Sequence, residues 1–147
     1  MKRKWSFDEN TGVASYSLFI DGREFTDTAA CAEIDREFMS EKTGLTIASQ
    51  RAKIKYLNHK CQNDLKPRIA ALKQYYYSIN MSKQFNDKSY EVKMLYRQIE
   101  GLEEELAATK TLLAQAKQDL DLYLTQKNSF YTALKRMREL RNETENN

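Results

Sequence analysis

At 147 residues and 17.3 kDa, the chain has room for one domain, or for one small domain plus an extended element. Apolar residues make up 41% and charged residues 31%, with 4 glycines and 1 proline, which excludes a loop-rich enzyme or an all-β sandwich because both need more turn residues. The formal charge is only +3, and no apolar run approaches the about 18 residues of a membrane span. The basic start, Lys2-Arg3-Lys4, leads into polar and acidic residues rather than an apolar core, so no signal peptide is expected. The composition points to a helix-dominated, cytoplasmic protein.

Residues 1–32 read as an antiparallel β-meander. Trp5 and Phe7 alternate with polar neighbours before the turn-rich Asp8-Glu9-Asn10-Thr11-Gly12. From Val13 to Ile20, Tyr16, Leu18 and Ile20 share one face, and Ser15, Ser17 and Phe19 the other. Asp21-Gly22 then supplies two residues suited to positive φ, a strong hairpin signal. The third run, Arg23 to Ala30, carries Phe25 and several threonines. A sheet this small must bury one face on a helix or on another subunit.

Residues 33–86 read as a basic helical segment. A short turn or loop with Ile34, Phe38 and Met39 leads to Gly44, and a helix is expected from about Leu45. Ile47, Ile54, Leu57 and Cys61 recur at helical spacing, as do Leu65, Ile69, Leu72, Tyr76 and Ile79. Near the junction of the two sets, just after Leu65, lies Pro67. Inside a helix it lacks a donor and clashes with the Asn63 carbonyl. If Asp64 caps a new helix, Pro67 falls harmlessly in its first turn. Either way a kink or break is expected around residues 58–66.

Residues 87–142 carry the strongest periodicity, and 143–147 are expected as a disordered tail. With Val92 at position a, the a and d positions run through Leu95, Ile99, Leu102, Leu106, Thr109, Leu113, Ala116, Leu120, Tyr123, Lys127, Phe130, Leu134, Met137 and Arg141. Twelve of these fifteen are apolar or aromatic. A sustained seven-residue repeat is a coiled-coil signature. One helix here spans roughly 80 Å, too long for a small sheet to cover. Its seam must meet the basic segment, another copy of the chain, or both. Leu112, Leu124, Tyr131, Ala133 and Leu140 widen the stripe, as in a bundle. The fold class is therefore α+β and mostly α: a short meander followed by two long helical segments in a coiled-coil hairpin or bundle, with homo-oligomers expected.

Charge is segregated. Residues 1–39 hold five bases and eight acids, residues 40–86 nine bases and two acids, and residues 87–147 ten bases and eleven acids. The basic middle includes Arg51, Lys55, Lys60, Lys73 and Lys83, interleaved with Tyr56 and Tyr75-Tyr76-Tyr77. It can pair with Glu100, Glu103, Glu104 and Glu105 of the last helix or bind an anion. The tyrosine run reads first as packing against the sheet and second as a platform for bases. The candidate ligand-binding residues are Arg51, Lys55 and Tyr56, with Arg136, Arg138 and Arg141 for anionic groups and Phe130 and Tyr131 for stacking.

Nothing points to an enzyme. The single histidine, His59, removes most His-based mechanisms. GxSxG, P-loop, GxGxxG and HExxH patterns do not occur. A carboxylate-only hydrolase is the residual enzymatic reading. Cys31 and Cys61 are expected as reduced thiols, with a bridge left open. His59 and Cys61 fall short of the about four ligands a zinc site wants, so no metal or cofactor is expected.

Thr11-Gly12-Val13-Ala14 through Asp21-Gly22-Arg23-Glu24-Phe25, then Thr28-Ala29-Ala30-Cys31, Asp35-Arg36-Glu37-Phe38 and Gly44-Leu45-Thr46-Ile47-Ala48-Ser49-Gln50-Arg51-Ala52, resemble small bacteriophage proteins. The order of sheet and long helices is similar to the phage Thoeris anti-defence sponge family. The resemblance covers about residues 11–57 in sequence and the rest in architecture. It implies a non-enzymatic oligomer that sequesters cyclic ADP-ribose-type signals where subunits meet, in a host bacterial cytoplasm. No binding residue is carried over from the family. The alternative is a coiled-coil interaction module that docks on a host or virion protein. Nucleic-acid binding ranks third, and no membrane partner is expected.

Overall fold

The structure, a computed structural model, describes residues 1–38, 40–81 and 89–146. Met39, Lys83 and the segment boundary placed at residues 86–87 lie outside the described residues. The protein is mostly helical, with a three-stranded N-terminal sheet. In chain order come β1 (Lys2–Asp8), β2 (Val13–Ile20), β3 (Arg23–Ala30), a 3-10 turn (Glu33–Phe38), α1 (Glu41–His59), a π-helical turn (Lys60–Leu65), α2 (Lys66–Met81) and α3 (Ser89–Glu145). Two compact units form: Met1–Lys55 with Gln115–Asn147, and Tyr56–Ala114.

The sheet has the order β1-β2-β3, antiparallel throughout. Asp21 and Gly22 both adopt positive φ, 51° and 75°, so the hairpin turns as its sequence requires. At the first turn, Gly12 also has positive φ, and Asp8 Oδ1 accepts from the Asn10 backbone N–H at 2.9 Å. The period-two faces separate as expected. Ala14, Leu18, Phe25 and Ala29 are buried on one face, in the register Ala14–Ala29 and Leu18–Phe25. The opposite face is hydroxyl-rich and joins Ser17 to Thr26 at 2.7 Å.

Helix α1 packs on the face of small residues. Ser40 caps it, its Oγ accepting from the Thr43 N–H at 3.0 Å. That cap starts the helix at Glu41, one turn earlier than expected. Ala14, Ala29, Ile47 and Ala48 form a buried cluster, joined by Leu120, Tyr123 and Leu124 of α3. Gly44 sits at the closest approach: a Cβ there would lie 3.0 Å from Ala14 Cβ.

In the second unit, where a kink or break was expected around residues 58–66, the α-helix gives way to the π-helical turn at Lys60–Leu65. His59 and Lys66 at its ends are both helical, and the Lys66 N–H is bonded to Cys61 O. The wider turn moves the carbonyls that a proline ring would strike. Asp64 does not cap a new helix; it lies within the turn and faces Arg68 at 3.5 Å. The turn aims Cys61 and Leu65 inward, at 1% and 0% exposure. Both cysteines are free thiols. Leu65, Ile69 and Leu102 form the core of this unit, with Leu72 and Leu106 against it. Burying a side chain the size of Leu65 contributes about 1.5–3 kcal/mol.

Residues 56–81 and α3 meet through side chains in this unit. Lys60 meets Glu105 at 3.1 Å, Lys73 meets Glu103 at 2.6 Å, and the Tyr76 ring meets Tyr96 at 6.0 Å. So the basic segment pairs with the acidic half of the last helix, one of the two expected uses of its charge. The tyrosine run packs through Tyr76 on α3 rather than on the sheet as expected, while Tyr75 and Tyr77 are exposed.

Helix α3 departs from the expected seam at its C-terminal end. Leu95, Ile99, Leu102, Thr109 and Ala116 follow the heptad register and are buried. Further on, the d residues Phe130 and Met137 are exposed, as is Arg141, and Tyr131 is buried instead. A straight α-helix drifts about 20° per heptad against a 3.5-residue repeat. From Ala116 to Phe130, two heptads within the first unit, the drift is about 40°, and the a residues Lys127 and Leu134 stay half-buried. The inward position passes from Phe130 to its C-terminal neighbour, the direction the drift requires. The helix also continues to Glu145, where a disordered tail was expected from residue 143.

Two helical glycines should respond oppositely to substitution. Gly101 has open space at its Cβ position, so Gly101→Ala should raise stability by up to about 1 kcal/mol through helix propensity. Gly44→Val should lower it by about 1–3 kcal/mol, because the Ala14 backbone cannot retreat. Urea denaturation of both variants checks the difference in sign.

Candidate functional site

The first three candidate residues divide between two environments. Arg51 Nη1 donates to Thr28 O at 2.9 Å, and Lys55 Nζ donates to Thr26 O at 2.8 Å. The spacing explains the match. Residues four apart on a helix rise about 6 Å, and residues two apart on a strand span about 6.6 Å. Two cations thus meet two carbonyls of edge strand β3. Their positive charge is held along the sheet edge rather than gathered around a pocket. Tyr56 is half-buried and falls in the second unit.

The C-terminal candidates meet the 3-10 turn. Arg138 pairs with Glu37 and lies 5.1 Å above the Phe38 ring. Lys135, which sequence reasoning did not single out, sits 2.5 Å from Asp35 Oδ1. That oxygen is enclosed and takes no directed hydrogen bond from the protein. The ammonium beside it is its ionic partner. Arg136 faces Glu139 at 3.2 Å on the helix surface, and Arg141 is exposed.

Phe130 and Tyr131 take opposite roles. Tyr131 is 6% exposed and meets Phe38 at 5.6 Å, with Lys127 Nζ 5.5 Å from its ring centroid. Burial pushes its phenol pKa up, and the nearby Cys31 and Asp35 add to the rise, while a hydrogen bond with Thr43 opposes it. Phe130 is 60% exposed.

A cavity of about 290 Å³ opens in the first unit beside Tyr131. Cys31, Asp35, Thr43, Lys127 and Asn128 line it over a floor that includes Ala29 and Ile47. Its volume is near the lower end of small-molecule pockets, about 300 Å³. Apart from Tyr131, none of the candidate residues lines it. Lys127 was visible in the sequence only as a polar defect in the heptad stripe, which was its one signal.

Among the described residues, no group of three or more His, Cys, Asp or Glu could hold a metal. Glu103 and Glu105 are exposed and face Lys73 and Lys60, whose pKa values they raise by hydrogen bonding. No described helix is long and apolar enough to cross a membrane.

What α3 does expose is an apolar stripe. Phe130, Ala133, Met137 and Leu140 fall within about 80° of helix surface, at 100° per residue. Phe130, Met137 and Leu140 are 60%, 64% and 46% exposed. Ser129, Arg136 and Glu143 border the stripe on one side, and Arg141 on the other. No protein family, curated protein or solved structure matches this chain.

Two measurements check these assignments. Arg51→Met and Lys55→Met should each cost about 0.5–1.5 kcal/mol, the net contribution of one hydrogen bond, in urea denaturation. For Tyr131, the raised folded pKa means the unfolded chain loses the phenolic proton first. Stability is then full below about pH 10, the unfolded value, and falls as pH rises through the folded pKa. Tyr131→Phe should flatten that alkaline loss; an unchanged slope would contradict the assignment.

Proposed function

We propose that this protein is a non-enzymatic binding module that assembles with copies of itself through the C-terminal part of α3, in a coiled-coil pairing. The observation that supports this reading is the exposed stripe of Phe130, Met137 and Leu140. With Ala133 between Phe130 and Met137, its spacing of three and four residues is that of a coiled-coil seam. The stripe's borders favour a second copy running antiparallel. That arrangement sets Arg136 beside Glu143 of the other copy, twice by symmetry. A parallel one would set Arg136 against Arg141. The internal pair of Arg136 and Glu139 is exposed and exchanges at little cost.

A second reading draws on the cavity: sequestration of an anionic nucleotide signal of the cyclic ADP-ribose type, as the phage anti-defence resemblance implies. The Lys127 ammonium could take a phosphate, and the cavity's apolar floor part of a base. Arg51 and Lys55 serve the sheet edge, and Arg138 serves Glu37, so this reading rests on Lys127. Docking on a host or virion protein through the α3 stripe is the competing use of the same surface.

Sedimentation equilibrium tests the first reading. The wild type should associate as concentration rises, and the double variant Phe130→Ser, Met137→Ser should weaken that association at least about tenfold, since buried apolar anchors dominate such interfaces. Calorimetry with cyclic ADP-ribose isomers, cyclic dinucleotides and cyclic trinucleotides tests the second. Binding that Lys127→Ala removes supports it. No heat at roughly ten times a micromolar Kd removes it.

A further inference from the structure

The sheet has two edges, and the protein treats them differently. At β3, Arg51 and Lys55 occupy the carbonyls of Thr28 and Thr26. At β1, no described strand or side chain is paired along the outer edge. Six of its seven residues are exposed, and Phe7 is half-buried. Trp5, at the centre of the strand, is 59% exposed and stacks on Tyr16 at 6.5 Å. An open strand edge is a template for another strand.

We infer that β1 pairs with β1 of a second copy, antiparallel about Trp5, to make a continuous six-stranded sheet. The choice of partner follows from charge order along the strand. A twofold axis at Trp5 sets Lys2 opposite Asp8 of the second copy, at both ends of the pairing. Lys4 then lies opposite Ser6, Arg3 opposite Phe7, and Trp5 opposite Trp5. No like charges stand directly opposite one another, and opposite charges across a strand pair stabilise it. A twofold axis at Lys4 would set two ammoniums face to face. One at Ser6 would leave Lys2 and Arg3 unpaired beyond the strand. The Trp5 register is the one that uses all seven residues. It places Arg3 near the face of an aromatic ring, a favourable cation–π arrangement.

This pairing supplies what a three-stranded sheet lacks, since sheets of four to six strands are the commonest. It is a different surface from the α3 stripe. An isologous contact at each surface gives every copy two partners, so together they close into a dihedral ring or extend into a filament.

Trp5 is the chain's single tryptophan, so its fluorescence reports on this edge alone. The test uses the full chain over a concentration series, with sedimentation equilibrium and Trp5 emission read together. Association should shift Trp5 emission to shorter wavelength. Lys2→Asp sets like charges opposite at both ends and should weaken this step roughly tenfold. Asp8→Lys should do the same, and the double variant Lys2→Asp, Asp8→Lys should restore wild-type affinity. Because Asp8 also holds the Asn10 N–H, Lys2→Asp is the cleaner single variant, and circular dichroism confirms that each variant is folded. The Phe130→Ser, Met137→Ser variant should keep the Trp5 shift, which separates this interface from the α3 stripe. Trp5 emission that stays constant with concentration overturns the inference. So does a Lys2→Asp variant that associates like wild type, or a double variant no tighter than either single.

Discussion

The structure depends on a mismatch of periods. An α-helix turns every 3.6 residues, while the apolar residues of α3 repeat every 3.5. Over a short helix the difference is invisible. Along a helix of 57 residues it turns the apolar repeat away from a fixed line on the helix. Leu65 and Ile69 cover Leu102 and Leu106 in one unit, and the sheet with α1 covers Leu120, Tyr123 and Leu124 in the other. At Phe130 the d position has turned outward, while Leu134 at position a stays half-buried. Tyr131 takes the buried place, and Phe130, Met137 and Leu140 are left facing solvent. The same repeat therefore builds the fold at one end and offers a sticky surface at the other.

Charge is used in a similarly local way. The basic segment looks in sequence like an anion-binding face. In the fold, Lys60 and Lys73 answer the glutamates of α3, while Arg51 and Lys55 close the β3 edge. Near the C-terminus, Lys135 and Arg138 fasten the 3-10 turn to α3. The exposed pairs among these, such as Lys73 with Glu103, contribute little each, typically under about 1 kcal/mol. Their value lies in orientation. They decide which sheet edge is closed and where the 3-10 turn lies against α3.

Much of the fold was legible in the residues. The alternation from Val13 to Ile20, the Asp21-Gly22 turn and the long heptad helix were all readable, because they rest on short-range patterns. The response to Pro67 was not. A proline signals a problem, but whether the chain breaks or widens into a π-helical turn depends on the burial of Cys61 and Leu65. The site was less legible than the fold. Charge placement pointed to Arg51 and Lys55 as ligand groups, yet their i, i+4 spacing matches two carbonyls of β3. Tyr131 and Phe130 looked equivalent as neighbours, and only the accumulated rotation of α3 tells them apart. Lys127 appeared as a flaw in the stripe and turns out to line the cavity.

Hydroxyl-radical footprinting read at Phe130 and Tyr131 across a concentration series tests the drift of the seam most directly. Tyr131 should be protected at every concentration. Phe130 should be labelled in dilute solution and become protected as copies assemble. Labelling of Tyr131 with constant protection of Phe130 would mean that the heptad register holds to the end of α3, and would contradict the account.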